Sequence, residues 1–331
     1  MKMDSASLTL LTFLMTLITI LILFTPPDLL LNSLTFSNII SMLTVGLVLT
    51  YLTLKVPNFA HGDLASIGFY VSYALYRAYG LNPYFSIPVS FLVSGAVALM
   101  IYKAVYRVLQ RRRADIVNLM VASIAVDIII RTILYIYSDA MREYTRTFYR
   151  GFIFHDVTFR VGCYSVSFVA IASTIASVSM VLALYYLLMK TKTGIAMRAA
   201  IENPDLAETL GIDIDKMYSL SWFIAGGIAG AAGVFIPFRM ASYPDTGWNL
   251  LLRMFSAAVL GGLDNIFGAI VGGYIVGLVE VLGIYYLSKP PIYLSSAYRP
   301  AIPYVILVSV LLFAPKGVLN LVLGRRCGKN D

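Results

Sequence analysis

Long apolar runs recur along almost the whole chain, and they constrain its fold more than any other feature. A helix needs about 20 apolar residues to cross the hydrocarbon core of a bilayer. The apolar runs are 6–24, 33–54, 62–78, 84–106, 115–137, 166–189, 218–238, 250–263, 266–287 and 301–315. Because apolar residues do not alternate with polar ones, the runs predict helices and exclude a membrane barrel. We therefore expect an all-α, polytopic integral membrane protein with about ten transmembrane or part-spanning helices, of which 62–78 and 250–263 are the weakest.

Composition excludes a soluble globular fold. Of the 331 residues, 59% are hydrophobic and 13% are charged, whereas about 25% charged residues are typical of a soluble domain. The 6–24 run is interpreted as an uncleaved span and not as a signal peptide, because it is long and lacks a small-residue cleavage pattern. No flexible linker interrupts the pattern, so 1–331 is predicted to form a single transmembrane domain.

Basic residues lie mainly at the ends of the runs and indicate the orientation of the chain. With both termini in the cytoplasm, more lysines and arginines fall on the cytoplasmic side than outside, as the positive-inside rule requires. The 138–165 connection is then external, and the 190–217 connection is cytoplasmic. This arrangement accounts for the net charge of +8, since no aromatic-interleaved basic patch indicates nucleic acid.

The 190–217 connection contains the start and stop signals of a short helix. Asn203 is a good N-cap, and Pro204 suits the first helical position. Gly211 can take the left-handed conformation that ends a helix. Such a helix outside the membrane favours a docking surface for another protein, although a solvated connector explains the same pattern.

Polar residues interrupt the chain where the 62–78 run begins. Asn58, His61 and Asp63 lie beside Gly62 at the mouth of this span. A discontinuous helix whose exposed backbone lines a substrate path would contain such a sequence. A helix break at the membrane interface, where water satisfies the polar groups, accounts for it equally well.

Three ionisable residues fall well inside predicted spans, where burying a charge is unfavourable. Asp127 and Arg131 are four residues apart and can pair on one face of a helix, so a self-neutralising structural pair is the favoured interpretation. Glu280 has no basic residue one turn away. It could bond across helices to hydroxyl groups or face a transport pathway, and both interpretations stay open.

Small residues recur at four-residue spacing in two of the predicted spans. Gly226 and Gly230 show this spacing in one span, and Gly268 and Gly272 show it in the other. The small-xxx-small arrangement lets helix backbones approach closely in a membrane. It predicts close helix packing and carries little information on function.

Three arginines recur every four residues in the 138–165 connection. On a helix, Arg142, Arg146 and Arg150 would share one face. Such a face could dock the acidic surface of an external partner protein. A solvated basic face is at least as good an interpretation.

Several classes of protein are unsupported by the sequence. No phosphate-binding loop of the form G-x-x-x-x-G-K-[ST] is present, so the chain cannot bind ATP by that route. The two histidines lack the H-E-x-x-H setting of a metalloprotease, and Cys163 and Cys327 lack metal-ligand spacing. We predict no catalytic residue, no metal and no cofactor in this chain, and hence a protein that is not an enzyme.

Three further stretches are informative together. They are NFAHGDLASIGFYVS at 58–72, GIAMRAAIENPDLAETLGID at 194–213 and FSAAVLGGLDNIFGAIVGGYIVGLVE at 255–280. In this order they resemble the permease subunits of ATP-binding-cassette importers for branched-chain amino acids, a family that also includes urea and short-amide permeases. The resemblance implies a prokaryotic cell membrane, a second homologous permease, two cytoplasmic subunits that bind ATP and Mg²⁺, and an extracytoplasmic solute-binding protein.

The resemblance also implies roles for particular residues. The 194–213 stretch matches the cytoplasmic loop that docks into the ATPase. Its candidate coupling residues are Arg198, Glu202, Asn203, Pro204, Asp205, Ala207, Glu208 and Gly211. Candidates for the translocation pathway, some of which match the family's signature positions, are Asn58, His61, Gly62, Asp63 and Glu280.

We therefore expect the translocation subunit of an ATP-driven importer for branched-chain or other hydrophobic amino acids, or for related amides or urea. An ion-coupled secondary transporter of small solutes is an alternative, in which Asp127, Arg131 and Glu280 would be the coupling groups. A lipid-modifying membrane enzyme is a further alternative. It would need a clustered set of acids or nucleophiles, which the sequence lacks.

Overall fold

The computed structural model describes residues 25–161, 164–314 and 317, which are mostly helical. The α-helices of this part are α1 (Pro27–Leu54), α2 (His61–Tyr79), α3 (Ile87–Ile101), α4 (Arg107–Arg111), α5 (Ile116–Thr145), α6 (Phe168–Lys190), α7 (Lys192–Glu202), α8 (Pro204–Thr209), α9 (Ile214–Gly233), α10 (Thr246–Gly261), α11 (Ile266–Leu287) and α12 (Ala301–Phe313). A π-helical segment, Tyr102–Tyr106, joins α3 to α4. Short 3-10 turns cover Pro83–Ser86, Ile236–Phe238 and Ser296–Tyr298. The 6–24 run lies outside the described residues.

Seven helical stretches in the described residues are long and apolar enough to cross a membrane. They are Pro27–Leu54, Pro83–Arg111, Ile116–Thr145, Phe168–Lys190, Ile214–Phe238, Ile266–Leu287 and Ser296–Phe313. The two weakest predicted runs form α2 and α10, which are not among the seven. Helix α10 has only 16 residues, and α2 carries polar residues in its first turn. The chain is thus a multi-pass helical membrane protein, but the number of about ten helices is not confirmed.

A small sheet corrects the all-α prediction. Strands β1 (Thr158–Val161) and β2 (Tyr164–Ser167) pair with each other. Both sequences, TFRV and YSVS, are short and rich in β-branched and aromatic residues, which favour extended backbone. Strands of four residues are too short to produce a signal in a pattern of long apolar runs.

The chain divides into two compact units. The first comprises Met1–Val48, Thr158–Val166 and Leu252–Asp331, and the second comprises Leu49–Val157 and Ser167–Leu251. Most of α1, most of α10, and α11 and α12 belong to the first unit, whereas α2 to α9 belong to the second. A single transmembrane domain over 1–331 stays a prediction.

Close helix packing in the second unit depends on small residues of α9. A Cβ atom at Gly230 would collide with Ser94 of α3, and one at Gly68 of α2 would collide with the backbone of Gly230. Ser90 of α3 donates a hydrogen bond of 2.9 Å to the Gly68 carbonyl. The predicted close packing of this span is confirmed, and it fixes α2, α3 and α9 against one another.

Helix α11 packs in the same way in the first unit. A Cβ atom at Gly268 would collide with the backbone of Gly261, and one at Gly272 would collide with that of Ala257, both on α10. A Cβ atom at Gly273 would collide with the backbone of α1. Glycines on two faces of α11 therefore allow α10 and α1 to approach it closely, as the sequence predicts.

Candidate functional site

Three charged residues of the second unit form a buried cluster. Asp63 and Asp127 are buried, and the Arg131 side chain is 21% exposed. Arg131 donates a hydrogen bond from Nη2 to Asp127 Oδ2, and its Nε lies 3.4 Å from Asp63 Oδ2. Its guanidinium carbon lies 4.6 Å from the centroid of the Trp248 ring. The pair expected from the sequence is formed, and Asp63 and Trp248 join it.

The positions of these residues follow from their helices. Asp63 lies in the first turn of α2, where the partial positive charge of the helix N-terminus favours a carboxylate. Asp127 and Arg131 lie one turn apart on α5. Within the described residues, neither Asp63 oxygen accepts a hydrogen bond, and nor does Asp127 Oδ1. The cluster thus contains two carboxylates for one guanidinium.

The turn that precedes α2 is held by side chains. Asn58 Oδ1 accepts a hydrogen bond of 3.2 Å from the Ala60 N–H. The Phe59 N–H donates a hydrogen bond of 2.9 Å to Ser123 Oγ on α5. These bonds satisfy backbone groups that the helix itself leaves unpaired, and they connect the start of α2 to α5.

The other predicted pathway residues of the second unit lie in the same place. His61 and Asn58 are buried. A Cβ atom at Gly62 would collide with the backbone of Gly247 at the start of α10, so only glycine allows this approach. The structure therefore brings Asn58, His61, Gly62 and Asp63 together at one end of α2, and their role in a pathway stays a prediction.

Glu280 is the centre of a cluster in the first unit. Its buried carboxylate accepts hydrogen bonds from Arg253 Nε, at 3.0 Å to Oε1 and 2.9 Å to Oε2. Arg299 Nε donates a further bond of 2.9 Å to Oε1, and its guanidinium carbon lies 4.4 Å from the centroid of the Phe36 ring. Arginines from other elements thus pair with Glu280, two guanidiniums to one carboxylate.

Helices α7 and α8 form most of the 190–217 connection. Asn203 Oδ1 accepts a hydrogen bond of 3.0 Å from the Leu206 N–H and caps α8. Pro204 is the first residue of α8, and Gly211 has a φ of +81° just beyond its end. The short capped helix that the sequence predicts is observed.

Most of the predicted coupling residues are exposed. Those exposed are Arg198, Glu202, Asn203, Pro204, Asp205, Glu208 and Gly211. Ala207, in contrast, is buried. Two leucines near it, Leu206 at 58% and Leu210 at 73%, are exposed. These two side chains add apolar area to an otherwise charged surface.

Buried aromatic residues connect α7 to the interior of the second unit. Tyr218 on α9 donates a hydrogen bond of 3.2 Å to the Ala200 carbonyl of α7. The rings of Tyr218 and Tyr102 lie 6.5 Å apart, and those of Tyr102 and Trp222 lie 5.8 Å apart. The ring centroids of Trp222 and Tyr106 lie 4.7 Å apart. We call Tyr102, Tyr106, Tyr218 and Trp222 the aromatic cluster.

The aromatic cluster reaches the turn before α2. Trp222 Nε1 donates a hydrogen bond of 3.0 Å to Thr53 Oγ1, and the Tyr106 hydroxyl lies 3.5 Å from Asn58 Oδ1. Two members of the cluster belong to the π-helical segment, a type of distortion that is frequent at functional sites. A continuous set of contacts therefore runs from the 190–217 connection to the start of α2.

Ion pairs fix the first turn of α9. Asp215 Oδ2 accepts hydrogen bonds from Arg107 Nε at 2.8 Å and from Arg111 Nη2 at 2.9 Å. Asp213 caps α9 by accepting a bond of 3.0 Å from the Lys216 N–H. The Lys216 side chain, which bonds to the same carboxylate, lowers the pKa of Asp213. The helix that follows the connection is thus bound to α4.

The predicted arginine face in the 138–165 connection is wrong. Helix α5 ends at Thr145, and Arg146 has a left-handed backbone with a φ of +51°. Only Arg142 lies on the helix. Arg150 lies beyond this turn and pairs with Asp139 at 2.7 Å. Because the chain changes direction after Thr145, a spacing of four residues no longer places the arginines on one face.

Three residues of the two clusters were missed from the sequence. They are Arg253, Arg299 and Trp248, for which the sequence pattern predicts no role. A usable signal existed, since a carboxylate inside a span needs a cation, and arginines at the ends of the neighbouring runs were available. Spacing along the chain could not show which of them is close.

The structure is that of a multi-pass helical membrane protein with two preformed helices in its 190–217 connection. The chain belongs to the family of branched-chain amino acid transport system permease components, whose model matches residues 29–314. This is a family of transport permeases and not of enzymes.

The names of individual similar proteins are consistent with this family. A probable branched-chain amino acid transport permease protein of Methanocaldococcus jannaschii is 39% identical over 284 residues, 86% of this chain and 89% of that protein. The high-affinity branched-chain amino acid transport system permease protein of Escherichia coli K12 is 26% identical over 298 residues, 87% and 94% of the two chains. A nucleoside ABC transporter permease of Lactococcus lactis is 30% identical over 155 residues, 40% and 43% of the two chains. No solved structure matches the chain.

Proposed function

We propose that this chain is the translocation subunit of an ATP-binding-cassette importer for branched-chain or other hydrophobic amino acids, or for related amides or urea. A second homologous permease completes the membrane part as a heterodimer, and two cytoplasmic subunits bind ATP and Mg²⁺. A solute-binding protein delivers the solute from outside a prokaryotic cell, and both termini of the permease are cytoplasmic. The family match over residues 29–314 carries this proposal.

Uptake measurements separate this function from its rival. The family does not favour an ion-coupled secondary transporter. In membrane vesicles that contain the assembled importer, uptake of radiolabelled leucine should require internal ATP and persist when an uncoupler removes the ion gradients. Uptake that collapses with the gradients while ATP is maintained would contradict the proposal.

The 190–217 connection is the part of the chain that docks on the ATPase in this proposal. Its support is the exposed surface of α7 and α8, with Leu206 and Leu210 available for apolar contact. Charged residues around these leucines, such as Arg198 and Glu208, would fix the orientation of the partner. Because both helices are capped, the surface is preformed and little ordering entropy is lost on binding.

The aromatic cluster would carry motion from this surface to the membrane part. Displacement of α7 would act on Tyr218 through its bond to the Ala200 carbonyl. Densely packed rings transmit displacement, whereas a loose contact would absorb it. The last link, Tyr106 to Asn58, places the turn before α2 at the end of this route. Asn58, His61, Gly62, Asp63 and Glu280 are the candidate pathway residues.

Docking of the solute-binding protein is proposed for the 138–165 connection. Arg142 and Arg146 are exposed there and available to an acidic partner. Arg150 already pairs with Asp139, which leaves it less available. Replacement of the first two by glutamate should therefore weaken stimulation by the binding protein more than replacement of Arg150 does.

Loss of the cap on α8 tests the coupling role. Asn203→Ala removes the bond to the Leu206 N–H, which stabilises such a helix by about 1 kcal/mol. We expect fewer solute molecules transported per ATP hydrolysed, with the amount of assembled complex unchanged. Asn82→Ala is the matched control, because Asn82 caps the Pro83–Ser86 turn in the same way outside the connection. An equal ratio in wild type and Asn203→Ala would contradict the coupling role.

Cross-linking tests the docking surface directly. After both native cysteines are replaced by serine, cysteine at Leu206 or Leu210 should cross-link to a cysteine in the ATPase surface. Ala207→Cys is the control, because this position lies on the same helix but is buried. If neither leucine position cross-links in an active complex, the 190–217 connection is only a linker and does not dock on the ATPase.

A further inference from the structure

The cluster of Asp63, Asp127 and Arg131 has more acids than bases. One guanidinium faces two carboxylates, and both aspartates are buried. Neither Asp63 oxygen accepts a hydrogen bond from any described residue, although Asp63 has no exposed surface. A buried carboxylate without such bonds is disfavoured in its charged form, because the helix N-terminus and a guanidinium 3.4 Å away replace only part of the water it has lost.

The elements packed around Asp63 carry further titratable and charged groups. Helix α5 contributes Asp127 and Arg131. His61 lies two residues before Asp63 on α2, and Asp245 precedes α10, whose Trp248 covers the Arg131 guanidinium. If both aspartates are ionised, Arg131 compensates only one of them. A like-charged pair this close to one guanidinium cannot easily keep both charges.

We infer that the Asp63–Asp127–Arg131 cluster is a binding site for one proton, shared between the two carboxylates and held against Arg131. Arg131 cannot release its own proton under ordinary conditions, so the adjustable charge belongs to the aspartates. A proton needs no cavity, which suits a site where Gly62 and Gly247 bring two backbones into contact. No group of three or more histidine, cysteine or acidic residues is placed to hold a metal ion in the described residues. The inference depends on the second unit alone and goes beyond the proposed transport function.

Infrared spectroscopy can count the protons in this site. In the purified, assembled complex at neutral pH, wild type should show the carbonyl stretch of one buried carboxylic acid, which shifts in D₂O. Asp63→Asn and Asp127→Asn should each remove this band, because the remaining carboxylate is compensated by Arg131 and ionises. Arg131→Gln should show two such acids. The expected number of protonated acids is one in wild type, none in Asp63→Asn, none in Asp127→Asn and two in Arg131→Gln. This series follows from the balance of charges in the cluster.

Asp139→Asn is the matched control. Asp139 lies on the same helix, is exposed and pairs with Arg150, so its replacement should leave the band unchanged. The inference would be overturned if the wild-type spectrum contained no carboxylic-acid band that is lost in Asp63→Asn or Asp127→Asn. The measurement does not require the variants to be active in transport. The proposed transport function would be unaffected by that result.

Two further measurements test whether the cation bound in this site is a proton. Exchange of sodium for choline should leave the band unchanged, whereas a band that grows when sodium is removed would assign the site to a sodium ion. Addition of leucine with the solute-binding protein at constant pH should also leave the band in place. Loss of the band on addition would assign the site to the ammonium group of the solute and overturn a resident proton.

Discussion

Buried charge is arranged in opposite ways in the two units of the described chain. In the second unit, Asp63 and Asp127 share Arg131, so acid is in excess. In the first unit, Arg253 and Arg299 share Glu280, so base is in excess among the described residues of that cluster. Both clusters join residues from different elements, although Asp127 and Arg131 lie on the same helix.

The sign of the excess decides how each cluster can respond. Arginine keeps its proton at any ordinary pH, so the first-unit cluster keeps its excess positive charge. Its arginine side chains are 13% and 33% exposed, which allows partial solvation of that charge. A carboxylate can instead take up a proton. The second-unit cluster can therefore neutralise its excess negative charge by taking up a proton, whereas protonation of Glu280 would only enlarge the excess positive charge of the first-unit cluster.

The largest effect is expected where the single shared acid is removed. Glu280→Gln leaves two guanidiniums with one amide oxygen, and breaking a buried pair in this way costs about 3 kcal/mol or more. We expect a large fall in the apparent melting temperature of the purified complex at neutral and alkaline pH, where neither arginine can lose its proton.

A matched variant tests whether excess base is the reason. Arg299→Gln removes one of the two cations and leaves Arg253 paired with Glu280, so it should change the stability by about 1 kcal/mol or less. If Arg299→Gln were as damaging as Glu280→Gln, packing of the side chains and not charge would determine the stability of the cluster.

A smaller and pH-dependent effect is expected in the second unit. Arg131→Gln leaves two buried carboxylates, which can bind protons in the folded state and lose them on unfolding. Stability then falls as pH rises, because the folded state binds more protons than the unfolded state. We expect a deficit of about 2 kcal/mol at neutral pH that shrinks in acid. Melting temperatures measured across a pH series would check the slope.

Arg131→Lys is the control for this prediction. Lysine keeps the positive charge but loses the fork that bridges the two aspartates, so stability should decrease without the steep pH dependence. A pH slope as steep as that of Arg131→Gln would show that the charge of residue 131 does not hold the carboxylates.

Local features of the molecule could be predicted from the sequence. Asp127 and Arg131 lie one helical turn apart, and Asn203, Pro204 and Gly211 define a helix by their own preferences. Both features depend on residues within a few positions of each other. The apolar runs likewise predicted the long helices, because their length follows from the thickness of the membrane.

Non-local features could not be predicted in this way. Arg299 and Arg253 are 19 and 27 positions from Glu280, whereas Lys289, which is nearer along the chain, lies over the Tyr285 ring. The arginine face failed for a related reason, since periodicity implies a shared face only while the helix continues, and the left-handed residue Arg146 ends it. Which elements pack together is decided by tertiary contacts that no spacing encodes.

The smallest effect should come from removing an acid where acid is in excess. Asp63→Asn leaves Asp127 paired with Arg131, so the charge of the cluster becomes balanced and the site no longer needs a proton. The amide also keeps the size of the side chain. We expect the free energy of unfolding to change by about 1 kcal/mol or less at neutral pH, in either direction. At alkaline pH the variant should become more stable than wild type, because wild type must then release its proton and leave a charge uncompensated. A melting-temperature series from neutral to alkaline pH, with Asp139→Asn as the exposed control, would check this crossing. If the curves of melting temperature against pH stay parallel for wild type and Asp63→Asn, the second-unit cluster does not adjust its charge. The two clusters would then differ only in their numbers of acids and bases.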